Sequence, residues 1–243
     1  MESHRSTICK GCWQRHMPIA LRGPFAIPFR VLGIRPSRMN PNTCTICEWM
    51  FTRVMPGRKV TIEATVLFAD LRGYTTMSQS RPLETISGVL DAFYDECAAA
   101  IWNHDGLLAK TIGDAIMAVF NFPIGQADHA RQAVLAARDI QRRCFERRAA
   151  LMQQFGLDDE EFAIGIGINS GRLSFGEFGR THRDLTVIGD VVNVASRAQS
   201  AAAPGEILVT AAVHDAALDV MPDSGARDYR LKGLDQPVML FAA

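Results

Sequence analysis

No stretch of about 18 consecutive apolar residues occurs anywhere in the 243-residue chain, which excludes a membrane-spanning helix. The first dozen residues, Met1 to Cys12, lack the apolar core that a secretory leader needs. The expected compartment is therefore the cytoplasm. Internal repeats and low-complexity tracts are also missing, and this excludes fibrous and disordered designs. Net charge is absent as well, with 26 basic groups against 26 acidic ones. What is present, 48% hydrophobic and 21% charged residues, is the composition of a globular protein. A chain of this length can bury one sizeable core and carry a smaller appendage.

The neutral total conceals an uneven distribution. Residues 1–56 carry eight Lys/Arg against Glu2 and Glu48, a net +6, and the remainder carries the balancing −6. Six of the eleven prolines fall in the same 56 residues. This shift places a domain boundary at Pro56-Gly57, with a small N-terminal module over 1–56 and the main domain over 57–243. The basic charges are scattered singly, with no block of five or six. That reads as solvated arginines rather than a surface for nucleic acid or an anionic membrane.

In the main domain, Thr61–Asp70 is apolar and β-rich, a buried strand ending in a carboxylate. Pro82 opens a helical pattern in which Ile86, Val89, Leu90, Phe93, Cys97 and Ile101 recur at three- and four-residue steps. Leu107–Phe122 holds two apolar runs around Gly113-Asp114, the pattern of a β-hairpin. A second long helix is expected over Gln126–Gln154. Strands are expected at Phe162–Ile168, Arg172–Phe178 and Asp184–Ile188, then a helix over Gly189–Ala202. Short strands follow at Glu206–Val209, Arg227–Leu231 and Pro237–Phe241. The order predicts an α+β fold, a ferredoxin-like mixed sheet covered by helices on one face.

Asp70 closes the first strand and Asp114 occupies the hairpin turn. If the hairpin pairs beside that strand, both acids emerge at one edge of the sheet. Paired carboxylates there suit Mg²⁺, held together with substrate phosphates. By themselves the two also read as a strand terminator and a turn residue.

The wording around them is more specific. FADLRGYT (68–75), KTIGDAIMAVF (110–120), GIGINSG (165–171), TVIGDVVNVASR (186–197) and YRLKGL (229–234) occur in that order. Together they closely resemble the catalytic domain of class III adenylate/guanylate cyclases, from about Val60 to the C-terminus. The resemblance implies attack of the 3′-hydroxyl of ATP on its own α-phosphorus, yielding cyclic AMP and pyrophosphate. It implies that Asp70 and Asp114, helped by the Leu71 carbonyl, bind two Mg²⁺ or Mn²⁺ ions. Lys110 and Thr186 match the pair that reads the purine, Asn193 the ribose-orienting residue, and Arg197 the group facing the α-phosphate. Lys232 would meet the terminal phosphates.

These residue types suit the tasks. Arg197 offers a planar fork to phosphate oxygens and Lys232 a point charge. A lysine can donate to adenine N1, and a threonine hydroxyl can accept from the adenine amino group. Guanylate-type members usually carry glutamate and a small residue such as cysteine at those two places. Thr186 departs from the commoner Lys/Asp version and resembles a subgroup, some of whose members respond to bicarbonate. In the family the acids and the Lys/Thr/Asn/Arg set face each other across a dimer, so a homodimer is implied. The alternatives are a guanylate cyclase and a catalytically silent ligand- or redox-sensing module on the same fold.

Two look-alikes are set aside. Gly165–Gly171 has its last glycine one place late for a dinucleotide loop. His182-Arg183-Asp184-Leu185 imitates a kinase catalytic loop, but Gly189 stands where its asparagine belongs. In the N-terminal module, Cys9-x-x-Cys12 and Cys44-x-x-Cys47 offer four thiolates to a tetrahedral Zn²⁺. A short segment rich in proline and arginine benefits from such a staple. The 31-residue gap is longer than usual, so an iron–sulfur cluster, a redox dithiol or no ligand stays open. Cys97, Cys144 and His16 read as packing or surface residues.

Overall fold

The computed structural model describes residues 5–50, 59–157, 162–178, 184–221, 225–234 and 236–243. The boundary expected at Pro56-Gly57, and His182 and Arg183 of the kinase look-alike, lie outside the described residues.

Strand β1 (Lys59–Arg72) is the organising element. Leu67, Ala69 and Leu71 are buried on one face, and Ala64, Val66 and Phe68 on the other. This double burial explains the near-continuous apolar run in its sequence. It pairs antiparallel with β3 (Ala115–Phe120) and with β4 (Ala163–Phe178). β2 (Leu107–Ile112) hairpins onto β3, with Gly113-Asp114 in the turn as expected. Beyond β4 lie β6 (Ile207–Thr210), β8 (Val238–Ala242) and β7 (Ala226–Tyr229), in the order β2-β3-β1-β4-β6-β8-β7. β5 (Asp184–Ile188) pairs with the far end of β4. The strands expected separately before and after Asn169–Gly171 are one. Those three residues stay in register with Val66, Thr65 and Ala64, so pairing to β1 overrides the local glycine signal.

Helices cover both faces, where helices on one face alone were expected. α5 (Leu83–Asn103) and α6 (His129–Phe155) pack on the face of Leu67 and Ala69. The predicted stripe of α5 is the buried one, with Leu90 half-buried and the other five positions buried. α7 (Asp190–Ala201) takes the opposite face through Ala195, Val191 and Val192. Two short helices, α4 (Tyr74–Ser80) and α8 (Ala211–Ala216), were not foreseen, because six or seven residues hold too few turns for a periodic signal. α7 lies directly on the β4 backbone at Gly167. A Cβ there would sit 2.0 Å from the Gln199 amide nitrogen and 2.4 Å from the Ala195 carbonyl oxygen. Among the described residues, no helix is long and apolar enough to cross a membrane.

The described residues of the N-terminal segment form short helices: α1 (Lys10–Trp13), α2 (Ile27–Val31) after a 3₁₀ turn at Pro24–Ala26, and α3 (Thr45–Trp49). Its small core consists of Cys9, Cys12, Cys44, Cys47, Ile19 and Leu21. It is seated on the turn between α5 and β2. Asn40 donates to the Gly106 carbonyl (2.9 Å), Asn42 to the Trp102 carbonyl (3.1 Å) and to Asp105 (3.0 Å), and the Trp102 indole N–H to the Met39 carbonyl (2.8 Å). Lys10 forms an ion pair with Asp105. Both asparagines are buried, so each depends on these partners.

Candidate active site and cysteine cluster

β1 and the β2–β3 turn bring the two predicted acids together. Asp70 is the register partner of Ala115, and the Leu71 N–H donates to the Asp114 carbonyl (3.0 Å). Burial, and then the Asp114 carboxylate, push the Asp70 carboxyl up to about 6, against the opposing pull of Arg72 and a hydrogen bond with Gln199. The neighbouring carboxylate thus makes ionising Asp70 harder, which is the electrostatics of a cation site. The donor set, two carboxylates and the adjoining Leu71 carbonyl, is all oxygen and fits Mg²⁺ or Mn²⁺.

Residues not singled out from sequence complete this corner. Arg72 Nη1 lies 3.4 Å from Asp70, and its Nη2 donates to the Gln199 carbonyl at the end of α7. Among the described residues its Nε is buried without a hydrogen-bond partner. The guanidinium lies against Gly165, where a Cβ would fall 2.2 Å from it. The Tyr94 hydroxyl on α5 donates to the Gly113 carbonyl and so ties down the turn carrying Asp114. Nothing in the sequence marks Tyr94, because the contact spans 19 residues. Asn169 donates to the Val191 carbonyl (3.1 Å) and accepts from the Thr210 hydroxyl (2.7 Å), pinning the start of α7 to β4 and β6. Its motif was visible, but its role was not.

The remaining predicted residues fall into two groups. Arg197 and Lys232 line one cleft with Ser200, Arg230 and Gly233. Arg197 donates to the Gly233 carbonyl there (3.4 Å). Neither Asp70 nor Asp114 lines that cleft. Asn193 is exposed, one turn before Arg197 on α7. Lys110 stands opposite Met117 on β3, and Thr186 opposite Gly176 on β4, both half-buried. Leu107, three residues before Lys110, and Val187, next to Thr186, belong to one buried cluster.

In the N-terminal core, the four cysteine sulfurs lie within 4.8 Å of one another. Individual separations are 3.5 Å (Cys12–Cys44 and Cys12–Cys47), 3.7 Å (Cys9–Cys47) and 3.9 Å (Cys44–Cys47). Sulfurs at 2.3 Å from one tetrahedral ion stand about 3.8 Å apart, so the set fits a single such ion. Cys9 caps α1, its sulfur accepting from the Cys12 N–H (3.4 Å), and Cys44 stands at the N-cap position of α3. Burial pushes the Cys12 thiol up to about 12, and hydrogen bonding with Cys44 and Cys9 raises Cys47. Cys97 and Cys144 are buried between α5 and α6, as expected of packing residues, and His16 is exposed.

A mixed sheet with a carboxylate pair at one edge and a helix-borne arginine over a basic cleft defines a nucleotide cyclase domain. The sequence model of the adenylate and guanylate cyclase catalytic domain matches residues 58–239, and the chain belongs to that family. An adenylate cyclase of Anabaena cylindrica is 38% identical over 142 residues, 58% of this chain and 28% of that protein. The chain therefore spans less than a third of that relative's length. The solved guanylyl cyclase Cya2 superposes with TM-score 0.70 at 29% identity, over 75% of this chain and 92% of the other. The adenylyl cyclase CyaB from P. aeruginosa gives 0.66 at 30% identity, over 76% and 95%. Proteins named for either nucleotide thus stand among its relatives.

Proposed function

We propose that this chain is an adenylate cyclase converting ATP to 3′,5′-cyclic AMP and pyrophosphate in a homodimer. The observation that carries the choice of nucleotide is the Lys110/Thr186 pair. Its ammonium donates to adenine N1 and its hydroxyl accepts from the 6-amino group, whereas guanine presents the reverse pattern. The shared apolar cluster behind Leu107 and Val187 supports a single purine pocket between them. Asn193 orients the ribose. Arg197 lays its fork against the charge developing at the α-phosphate, and Lys232 neutralises the terminal phosphates. Asp70, Asp114 and the Leu71 carbonyl would hold divalent ions, which would supply acidification of the 3′-hydroxyl and charge on the triphosphate.

The placement of the two sets supports the homodimer. The basic cleft of Arg197 and Lys232 includes neither acid, as a site shared between two copies requires. The cysteine cluster is assigned to one structural Zn²⁺. A multi-iron cluster spreads its ligands around more than one metal, whereas here all four sulfurs crowd one point. On this reading residues 1–56 are a zinc-stapled module and 57–243 the catalytic domain, in a cytoplasmic enzyme.

The test is product analysis with ATP and GTP, with Mg²⁺ or Mn²⁺, beside Asp70→Ala. Cyclic AMP from ATP, lost in the variant, is the expected result. Lys110→Glu with Thr186→Cys should turn the preference toward GTP. Preferential cyclic GMP from the native chain would replace the reading with guanylate cyclase. No product from a dimeric, metal-replete sample would replace it with a silent sensing module. Mixing Asp70→Ala with Arg197→Ala should restore activity through heterodimers; heterodimers without activity would refute the shared site.

A further inference from the structure

Residues 5–47 contain seven Lys or Arg and no Asp or Glu. In sequence these charges are isolated from one another. The fold reveals what stands between them. Phe29 and Ile34 pack on the cysteine core, and Ala26 is fully buried, so the segment from Pro24 to Ile34 is seated by one side. Its other side presents Phe25 (81% exposed), Ile27 (60%), Val31 (82%) and Leu32 (76%). Single exposed apolar residues are ordinary, but four large ones within eight positions are not. Arg30 and Arg35 are exposed in the same stretch, and Arg38 follows.

The chemistry of this face selects its partner. A second copy would bring an equal excess of positive charge against it, which opposes self-association. Single-stranded nucleic acid rewards stacking aromatics, and three of the four projecting side chains are aliphatic. An anionic bilayer meets both features, with acyl chains for the apolar side chains and lipid phosphates for the arginines.

We propose that this face is a peripheral anchor for anionic phospholipid membranes. Phe25, Ile27, Val31 and Leu32 enter the boundary between headgroups and acyl chains, and Arg30, Arg35 and Arg38 lie against the phosphates. The cysteine cluster holds the anchor in shape through Phe29 and Ile34. Among the described residues no helix is long and apolar enough to cross the bilayer, and the anchoring is independent of which purine the catalytic domain takes.

The full chain is sedimented with vesicles of phosphatidylcholine alone and with vesicles containing about 30% phosphatidylglycerol, near the anionic surface such segments recognise. Binding is expected with the anionic vesicles and to weaken with added salt. Replacing Phe25, Val31 and Leu32 together by serine should lower the partition coefficient about 100-fold or more. Arg30→Gln with Arg35→Gln should lower it about fivefold per charge. The thermal unfolding transition and cyclase activity of each variant should match the native chain, since these side chains are exposed and none lines the cleft of Arg197 and Lys232. Equal sedimentation with both vesicle types, or native binding by the triple-serine variant, would overturn the proposal. So would a native dimer that ignores vesicles and becomes monomeric in the triple-serine variant, which would assign the face to a second copy.

Discussion

Gly167→Ala adds one methyl group at the place where helix, sheet and site meet. Gly167 is paired on both sides, with Phe68 of β1 and Leu208 of β6, so its strand cannot move aside. The new Cβ would stand 2.0 Å from the Gln199 nitrogen and 2.6 Å from the Gln199 Cα, both backbone atoms of α7. Restoring ordinary contact requires α7 to rise by more than 1 Å. Overpacking costs about 1–3 kcal/mol, and the upper end applies because no flexible side chain can yield. At about 2–4 °C per kcal/mol for a chain of this size, the melting temperature should fall by about 6–12 °C. This outweighs the gain of up to about 1 kcal/mol that alanine brings by restricting the unfolded chain. α7 also carries Asn193 and Arg197, and a displacement of that size should lower kcat/KM about 100-fold. Gly225→Ala is the control, since nothing lies within 4 Å of its added Cβ. Calorimetry and cyclase kinetics on both variants provide the readout. A Gly167→Ala protein with native melting temperature and native kcat/KM would refute the claim that α7 rests on this backbone.

Three further outcomes are expected. Elemental analysis should find one zinc per chain, absent from Cys44→Ser, and chelation should lower the melting temperature; a metal-free native protein indifferent to chelator would remove the ion from the cluster. Tyr94→Phe deletes the hydrogen bond to the Gly113 carbonyl, at a stability cost of about 1 kcal/mol, and should raise the divalent-ion concentration needed for half-maximal activity; an unchanged metal titration would show that the turn holds itself. His129 has its Nδ1 2.7 Å from the Thr65 hydroxyl, and burial depresses its pKa below the usual 6.5, although Glu63 and Asp128 pull the other way. The unfolded chain therefore takes up this proton first, so stability falls as pH drops below about 6.5. His129→Gln should flatten that part of the profile, and superimposable profiles would exclude His129 as its source.

Much of the fold was legible because its signals are local. The stripe on α5 and the two-sided apolar run of β1 follow from periodicity alone, and Gly113-Asp114 marked the hairpin. The short helices α4 and α8 were not legible, nor was the continuity of β4 through Asn169–Gly171, where cross-strand pairing outweighs local preference. At the candidate site, the motifs nominated Asp70, Asp114, Asn193 and Arg197 without any distance being known. They could not reveal the side chains that hold these residues. Tyr94 reaches Gly113, and Arg72 bridges Asp70 to Gln199, across separations that no pattern encodes.

The N-terminal module divides along the same line. Spacing paired Cys9 with Cys12 and Cys44 with Cys47, because a knuckle is a single turn of chain. Bringing the two knuckles to one point needed the intervening loop to close, which the packing of Phe29 and Ile34 on the cysteine core accomplishes. Likewise the sequence by itself determined the family, the acids and the positive charge of the first 47 residues. Only the tertiary structure decided that α7 covers the second face of the sheet, and that Asn40 and Asn42 seat the module on the α5–β2 turn. It alone decided which apolar side chains of residues 25–34 face outward. Burial and contact belong to the whole chain's packing, and a side chain's neighbours are set by elements far from it in sequence.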